Sequence, residues 1–184
     1  MSLNSQSVMG YLMAANPYNL PKPPRSGARY TCVKKYPHSL GWSSVFRQWR
    51  AKSHCNKLHG YALAFEFEFG CYHLDENGWV VDFGSLQPVK KALANWFDHK
   101  LLIAEDDPEK DHLRRVGHIA DIRVFPGSVG VEAFARFAYT LMSNHIEGPT
   151  GCPDRAYVIR CTCSEHEANS ATYWRSAREA NPNQ

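Results

Sequence analysis

Two short segments of the sequence carry side chains suited to acid–base or nucleophilic chemistry. Cys55 and His59 stand just before an aromatic-rich segment, where a thiol and an imidazole suit a nucleophile or base beside a bound ligand. Asp98 directly precedes His99, and a carboxylate next to an imidazole can orient a proton relay. Each pair can also lack a chemical role. Buried cysteines are mostly inert, and an Asp-His pair at a helix end is often simply exposed to solvent.

Two further acidic residues are notable for their positions. Glu165 follows Cys161 and Cys163, and if one strand holds all three they share a face, because side chains alternate along a strand. A carboxylate on the same face as two cysteines makes Glu165 unusual. Asp82 lies in the segment 78–83, where an acidic side chain is expected to cap the following turn.

The residues around these candidates form regular patterns that predict strands and helices. Residues 61–69 alternate large apolar residues with alanine and glutamate, so this strand presents its phenylalanines on one face and both glutamates on the other. The apolar positions are Leu63, Phe65, Phe67 and Phe69. Apolar residues at helical spacing predict helices over 86–97 and 131–143. Further strands are predicted near residues 29–36, 156–163 and 170–174.

The predicted order of elements is β-β-α-α-β-β, which indicates the α+β class. We expect a four-stranded antiparallel sheet with two helices packed on the face that carries the phenylalanines. A sheet this short leaves unpaired edges, and exposed edges usually find partners, so the fold favours an oligomer. The single domain is predicted to span residues 28–176, with a loop insertion at 104–125. Residues 1–27, rich in proline, form an extended arm, and residues 177–184 form a tail.

Composition narrows the class of protein. The chain has 184 residues, 43% of them hydrophobic, which suits one domain with a core. Its net charge of +3 comes without a long basic block, which argues against a nucleic-acid surface. No apolar run approaches the roughly 20 residues of a membrane helix, and the N-terminus lacks the pattern of a signal peptide. The six cysteines are irregularly spaced, so we expect reduced thiols and a cytoplasmic protein.

The order of these motifs resembles the family of 6-pyruvoyl- and 6-carboxy-tetrahydropterin synthases. The sequence has Cys-x-x-x-His-Gly-x at 55–61, Gly-Trp-Val-Val-Asp-Phe at 78–83, Phe-Asp-His at 97–99, and then Glu165 with Tyr173 eight residues further on. The likeness runs from about Thr31 to Tyr173. It implies a T-fold assembled as a homo-oligomeric barrel, a hexamer of two stacked trimeric rings, with sites at subunit boundaries.

The resemblance also assigns roles to individual residues. Cys55 matches the family's catalytic cysteine, and Asp98 and His99 match its proton-relaying pair. Glu165 matches the glutamate that holds the amino and ring N–H groups of a pterin, and a carboxylate does offer two coplanar acceptors to such an edge. The implied activity is that of a lyase acting on the side chain of a pterin such as dihydroneopterin triphosphate.

The zinc site of the family is where this sequence departs from the pattern. Members bind zinc through three histidines, but here only His59 matches, and Trp42 and Tyr61 take the other two positions. An indole has no lone pair for a metal, and a phenol is a poor zinc ligand beside imidazole. Zinc is therefore expected from the family but doubtful in this chain, unless His38 or His54 replaces a missing ligand.

Two functional hypotheses follow, besides that of a purely structural oligomer. One is the side-chain lyase. The other is a zinc-free homologue that binds a pterin or purine-like ring and has lost or changed the catalytic activity, with Trp42 and Tyr61 filling the metal pocket. A metal-free acid–base scheme similar to that of dihydroneopterin aldolase is a variant, in which Tyr61, Lys57 or Lys100 transfers the proton.

Overall fold

Two four-stranded sheets and three helices make up the part of the chain that the computed structural model describes, residues 28–149 and 151–175. The predicted arm at 1–27 and tail at 177–184 lie outside the described residues. The strands are β1 (Tyr30–Tyr36), β2 (Ser43–Phe46), β3 (His59–Ala62), β4 (Ala64–Cys71), β5 (Lys100–Ala104), β6 (Asp121–Phe125), β7 (Ala156–His166) and β8 (Asn169–Trp174). The helices are α1 (Gln87–Phe97), α2 (Lys110–Arg114) and α3 (Val131–Ile146).

The first sheet is the predicted four-stranded antiparallel sheet, with the strand order β1-β4-β7-β8. The alternation along β4 places Phe65, Phe67 and Phe69 on the inner face, where each is at most 1% exposed. Because successive side chains of a strand point to opposite faces, the same alternation carries both glutamates outward. The prediction of the fold class is confirmed for this sheet.

The outer face of this sheet carries a ladder of opposite charges. Lys35 Nζ lies 2.8 Å from Glu66 Oε2, and Arg160 Nη2 lies 3.0 Å from Glu66 Oε1. Arg160 Nε also donates to Glu68 Oε2 at 2.6 Å. The hydrogen bond from Lys35, followed by the one from Arg160, lowers the pKa of Glu66 despite its partial burial. Both glutamates of β4 are therefore paired with cross-strand cations.

The segment predicted as one strand over 61–69 is two strands that belong to different sheets. The break falls at Leu63, which is fully buried and donates its N–H to the carbonyl of Trp42 at 2.9 Å. Before the break, β3 pairs with β2, and after it β4 pairs with β1 and β7. The alternation of apolar residues is continuous across Leu63, so periodicity alone does not reveal the change of sheet.

The second sheet, in the order β3-β2-β5-β6, is absent from the sequence-based prediction. Its strands β2, β5 and β6 run parallel, and residues 101–104 of β5 are all buried. Such a continuous apolar strand is typical of parallel pairing. Strand β6 and helix α2 both lie within residues 104–125, so the predicted loop insertion contains regular structure.

The two longer helices are close to their predicted positions and cover the inner face of the first sheet. The last residue of α1, Phe97, packs against Phe65 of β4 with ring centroids 4.9 Å apart. Helix α3 lies over β7 and β8, where the Tyr139 hydroxyl donates to the carbonyl of Val158 at 3.2 Å. Phe134 of α3 joins the helices, with its ring 5.3 Å from that of Phe97. No helix within the described ranges is long and apolar enough to span a bilayer.

Candidate functional site

His59 is positioned by the pairing of β2 with β3. Phe46 stands opposite His59 and Ser44 stands opposite Tyr61, so all four side chains share the inner face of the second sheet. Phe46 is fully buried against Phe134, with ring centroids 5.1 Å apart. His59 packs edge-on against Phe46 at 4.9 Å. Its imidazole is thus held by an aromatic neighbour that belongs to the core.

A hydrogen bond fixes the tautomer of neutral His59. Its Nδ1 lies 2.7 Å from the carbonyl oxygen of Lys57, and a carbonyl can only accept, so Nδ1 carries the proton. In the neutral ring the lone pair is then on Nε2. His59 is therefore a hydrogen-bond acceptor towards whatever occupies the space beyond its ring.

The surroundings of His59 do not fit a zinc ion. Its ring neighbours are Phe46 and Tyr61, of which one has no donor atom and the other offers only a phenol. Trp42 lies apart, buried against Tyr36 and Phe65. Within residues 28–149 and 151–175, no group of three or more histidine, cysteine, aspartate or glutamate side chains is placed to hold a metal ion.

Neither His38 nor His54, the alternative zinc ligands proposed from the sequence, is placed to complete a zinc site among the described residues. His38 lies in a 3₁₀ turn after β1, and its Nδ1 donates to the carbonyl of Ala62 at 2.5 Å. His54 begins the 3₁₀ turn His54–Asn56 and is exposed. Neither joins His59 in a set of three donors within the described part of the chain.

Asp98 and His99 form a hydrogen-bonded pair at the junction of α1 and β5. Asp98 is the C-cap of α1, and its Oδ1 lies 2.6 Å from Nδ1 of His99. A carboxylate accepts, so the His99 proton is on Nδ1 and the Nε2 lone pair is available as a base. His99 has a φ of 54°, and it is the one non-glycine residue with positive φ among those described.

The positive φ of His99 costs free energy, because a side chain in the left-handed region is crowded by its own backbone. Strain of this kind concentrates at functional sites, where the surrounding structure imposes it. The imidazole is 83% exposed, so burial of the side chain does not account for the conformation. The Asp98–His99 pair is therefore a candidate catalytic base among the described residues.

Cys55 lies in the 3₁₀ turn between β2 and β3, away from Asp98 and His99. Its carbonyl accepts from the N–H of Gln48 at 2.9 Å, which fixes this turn at the C-terminal end of β2. Lys100 pairs with Ser44, so His99 lies level with Ser43 at the opposite end of β2. At about 3.3 Å per residue, Cys55 and His99 of one chain are roughly 16 Å apart along the strand. A single chain does not bring them together.

Glu165 lies at an irregularity in β7. The register with β8 shifts between Ser164 and His166, so the strict alternation expected for Cys161, Cys163 and Glu165 is interrupted at the glutamate. Bulges of this kind often redirect a side chain beside a binding site. Glu165 is partly exposed, whereas Cys161 and Cys163 are fully buried.

Two residues that the sequence did not single out are Glu132 and His166. Burial raises the pKa of the Cys163 thiol well above its ordinary value, and the charges of Cys161, Glu165 and Glu132 raise it further. Glu132 lies in the first turn of α3. His166 packs against Tyr61 with ring centroids 5.8 Å apart. An isolated histidine and a helix-terminal acid carry no distinctive pattern, so sequence reasoning had no signal for either.

Asp82 has the structural role expected for it, since its Oδ1 accepts the N–H of Gly84 at 2.7 Å and caps the 3₁₀ turn before α1. Beside this turn is a cleft of about 550 Å³, lined by residues 30–32, Leu74 and 78–83. Cys55, His99 and Glu165 are not among its lining residues. The candidate site residues are instead spread over partly exposed surfaces of the chain.

Comparison with known proteins identifies the family. A family model described as 6-pyruvoyl tetrahydropterin synthase matches residues 40–176. A 6-carboxy-5,6,7,8-tetrahydropterin synthase of Aquifex aeolicus is 26% identical over 138 residues, covering 73% of this chain and 85% of that protein. The corresponding protein of Rickettsia felis is 36% identical over 79 residues, which is 42% of this chain and 54% of that protein.

Solved structures share the fold. An uncharacterized protein from Wolinella succinogenes has a TM-score of 0.66 at 18% identity, and a 6-pyruvoyl tetrahydropterin synthase from Plasmodium vivax has 0.59 at 15% identity. Each alignment covers 80% of this chain and 98% of the other. At these identities the structural likeness concerns the fold, whereas the family model spans most of the chain. The chain therefore belongs to the 6-pyruvoyl tetrahydropterin synthase family.

Proposed function

We propose that this chain is a lyase of the tetrahydropterin synthase type, acting on the side chain of a pterin such as dihydroneopterin triphosphate. The observation that carries the proposal is the Asp98–His99 pair, with its 2.6 Å hydrogen bond and the left-handed φ of His99. Membership of the family and the order of Cys55, His99 and Glu165 along the chain support it.

Each of these residues has a chemical role in the proposal. Glu165 accepts hydrogen bonds from the amino and ring N–H groups of the pterin and so orients the ring. Nε2 of His99 takes a proton from the side chain, while Asp98 stabilises the resulting imidazolium. Cys55 provides a thiol as the second proton-transferring group. A positioned general base of this kind contributes typically about 10²- to 10⁴-fold to the rate.

The site in this proposal is shared between subunits of a homo-oligomer. Cys55 and His99 lie at opposite ends of β2 in one chain, so a second copy must supply one of them. Strands β1 and β8 are the two edges of the first sheet, and edge-to-edge addition of further copies continues the sheet into a barrel. We propose trimeric rings stacked as a hexamer. The six cysteines are unpaired, which suits the reducing cytoplasm.

A second candidate function is favoured by the rings around His59. Phe46 and Tyr61 leave this histidine without further imidazole ligands, so an electrophile that polarises the substrate's side chain is missing. The proposed hydrogen bonds from the pterin ring to Glu165, called the clamp below, do not depend on zinc. The alternative is therefore a zinc-free homologue that binds a pterin or purine-like ring with a lost or changed activity.

Ligand binding by the Glu165→Gln variant tests the clamp that both candidates require. The substitution keeps the shape but presents an NH₂ group to a ligand N–H, so a charged hydrogen bond becomes a donor–donor contact. We expect a loss of about 2–4 kcal/mol, which lowers the affinity for neopterin at least roughly thirtyfold in calorimetric titrations. Glu167→Gln is the matched control, because Glu167 is exposed two residues further on. If Glu165→Gln and the wild type bound neopterin with equal affinity, the proposed role of Glu165 would be contradicted.

Turnover separates the two candidates. Purified protein is incubated with dihydroneopterin triphosphate, and the products are resolved by chromatography. A lyase releases a modified pterin, and Asp98→Asn slows the reaction by about 10²-fold or more. A protein that binds neopterin through Glu165 without converting the triphosphate fits the second candidate and contradicts the first.

A further inference from the structure

A continuous row of rings leads away from Glu165 across the inner face of β3. His166, the neighbour of Glu165, packs on Tyr61 at 5.8 Å, and Tyr61 packs on His59 at 5.7 Å. The row ends at Phe46, which is fully buried and 4.9 Å from His59. His59 and Tyr61 are partly exposed and His166 is exposed, so three consecutive rings that carry polar atoms reach the surface.

The hydrogen-bonding polarity of this row is fixed at both ends. At one end, Nδ1 of His59 donates to the carbonyl of Lys57, so Nε2 of the neutral ring is an acceptor. At the other end, Nδ1 of His166 accepts the backbone N–H of Ala168 at 3.2 Å, so Nε2 of that neutral ring is a donor. Between them, the Tyr61 hydroxyl can donate or accept. An acceptor, an adaptable hydroxyl and a donor therefore follow one another.

We infer that His59, Tyr61 and His166 form a subsite that binds the hydroxyl-bearing substituent of the ligand by hydrogen bonds, without a metal ion. The inference rests on the proposed function, because it takes Glu165 as the group that holds the ring edge. A ring held there extends its opposite substituent along the row. The substituent's hydroxyls donate to His59, exchange hydrogen bonds with Tyr61 and accept from His166.

The acceptor end of the row, at His59, selects for a neutral hydroxyl. A carboxylate or phosphate at this place would face the lone pair of His59 Nε2, which repels it, whereas a hydroxyl can supply the proton that this nitrogen accepts. An apolar substituent would leave three polar tips unpaired on binding, which costs free energy. The subsite thus distinguishes polyhydroxylated pterins from pterins that carry a methyl group or an acid at the same position.

The test compares two ligands that share the ring and differ in the substituent. Neopterin, which carries a trihydroxypropyl group, and 6-methylpterin are titrated by calorimetry against the full chain, in EDTA at about pH 8, where free imidazole is neutral. Tyr61→Phe removes only the hydroxyl, and His166→Phe keeps the ring contact but removes the donor. We expect each variant to lose about three- to tenfold in affinity for neopterin, as for one neutral hydrogen bond, and to keep its affinity for 6-methylpterin.

Tyr72→Phe is the matched control, since Tyr72 is an exposed tyrosine beyond the end of β4. It should leave the affinity for both ligands unchanged, and circular dichroism shows whether every variant is folded. Unchanged neopterin affinity in Tyr61→Phe and His166→Phe would overturn the subsite. So would loss of neopterin binding in EDTA that zinc restores, because a metal would then hold the hydroxyls.

The outcome separates the subsite from the proposed function. If 6-methylpterin binds and Glu165→Gln abolishes this binding, the clamp is supported, whatever the subsite variants do. If the clamp holds while neopterin affinity is insensitive to Tyr61 and His166, only the subsite is wrong. If neither pterin binds the wild-type chain, the proposed function fails and the subsite fails with it.

Discussion

At the scale of single residues, His99 combines strain with exposure. Its φ of 54° lies where side chains rarely go, yet its imidazole is 83% exposed and gains nothing from burial. A hydrogen bond to Asp98 holds Nδ1, which leaves Nε2 to face solvent or, in the proposed function, a ligand. Stability and catalysis should therefore have opposite requirements at this position.

Replacing His99 with glycine should separate these requirements. Glycine adopts the left-handed region without the steric cost of about 1–2 kcal/mol. Part of this stabilisation is offset because glycine loses more backbone entropy on folding. We expect His99→Gly to stabilise the protein by up to about 1 kcal/mol in urea unfolding and to slow pterin turnover about 10²-fold or more. His99→Ala is the control that loses the base and keeps the strain. A destabilised glycine variant would show that His99 has a structural role.

Asp107 is a second residue with a testable electrostatic role. Its carboxylate is 1% exposed and receives two hydrogen bonds from Arg47, at 2.8 and 2.6 Å. The hydrogen bond from Arg47 is the main reason that the pKa of Asp107 is lowered, and burial opposes it. A lowered pKa in the folded state means that the pair stabilises the protein above the unfolded-state pKa of about 3.9 and that this contribution disappears as the pH falls below it.

Asp107→Asn should therefore destabilise the protein in a pH-dependent way. We expect the free energy of unfolding to fall by about 2–3 kcal/mol at pH 7 and by the same amount at pH 5. This is less than for a fully buried pair, because Arg47 is 21% exposed. The difference from wild type should shrink as the pH drops below about 4. Urea titrations at each pH measure it. Asp106→Asn, which breaks the exposed pair with Arg50, should cost much less; equal losses would mean that burial is irrelevant.

At the scale of elements, the pairing of β2 with β3 determines which side chains surround His59. Phe46 stands directly opposite His59, and Tyr61 is two residues along the same strand face. Directly opposed residues in antiparallel strands have Cβ atoms about 4.5–5.5 Å apart, a spacing that imidazoles can bridge through a metal ion. The geometry for three histidines is therefore present in the backbone, whereas two of the side chains are not histidines.

The double substitution F46H/Y61H should create a zinc site. We expect about one zinc per subunit after purification without chelators, measured by mass spectrometry of the metal, and well under one in the wild type. V45H/Y61H is the matched control, because Val45 lies on the opposite, exposed face of β2 and a histidine there points away from His59. Stoichiometric zinc in the wild type, or equal zinc in both variants, would contradict this account of the site.

At the scale of the whole molecule, the separation of Cys55 from His99 means that the proposed catalysis requires assembly. Each is fixed to an opposite end of β2, and roughly 16 Å along a strand is too far for proton transfer. If the site lies between two copies, a chain lacking Cys55 and a chain lacking His99 can complement each other. Light scattering should then report a stable oligomer at micromolar concentration.

Mixing Cys55→Ala with His99→Ala tests this arrangement. Each variant alone should be inactive, whereas subunits unfolded together and refolded should recover activity at about one site in four, as random pairing in a symmetric oligomer predicts. Wild-type protein taken through the same cycle controls for refolding. An inactive mixture beside a fully recovered wild type would indicate that both groups act within one chain.

The sequence by itself determined the features that depend on local periodicity and on residue type. Alternation along β4 predicted the buried Phe65, Phe67 and Phe69, and helical spacing predicted α1 and α3, because the side-chain periods of strands and helices differ. The order of the motifs around Cys55, His99 and Glu165 predicted the family, since chemical roles attach to residue types in a fixed order.

Only the tertiary structure decided which residues far apart in the sequence come into contact. The break at Leu63 sends β3 into a second sheet, and there the neighbour of His59 is Phe46, while Trp42 packs elsewhere in the core. His166 approaches Tyr61 from a strand about 100 residues away, which no local pattern records. Strand pairing is set by the packing of distant segments against one core, so the contacts of the site follow from the fold, whereas its residue types follow from the sequence.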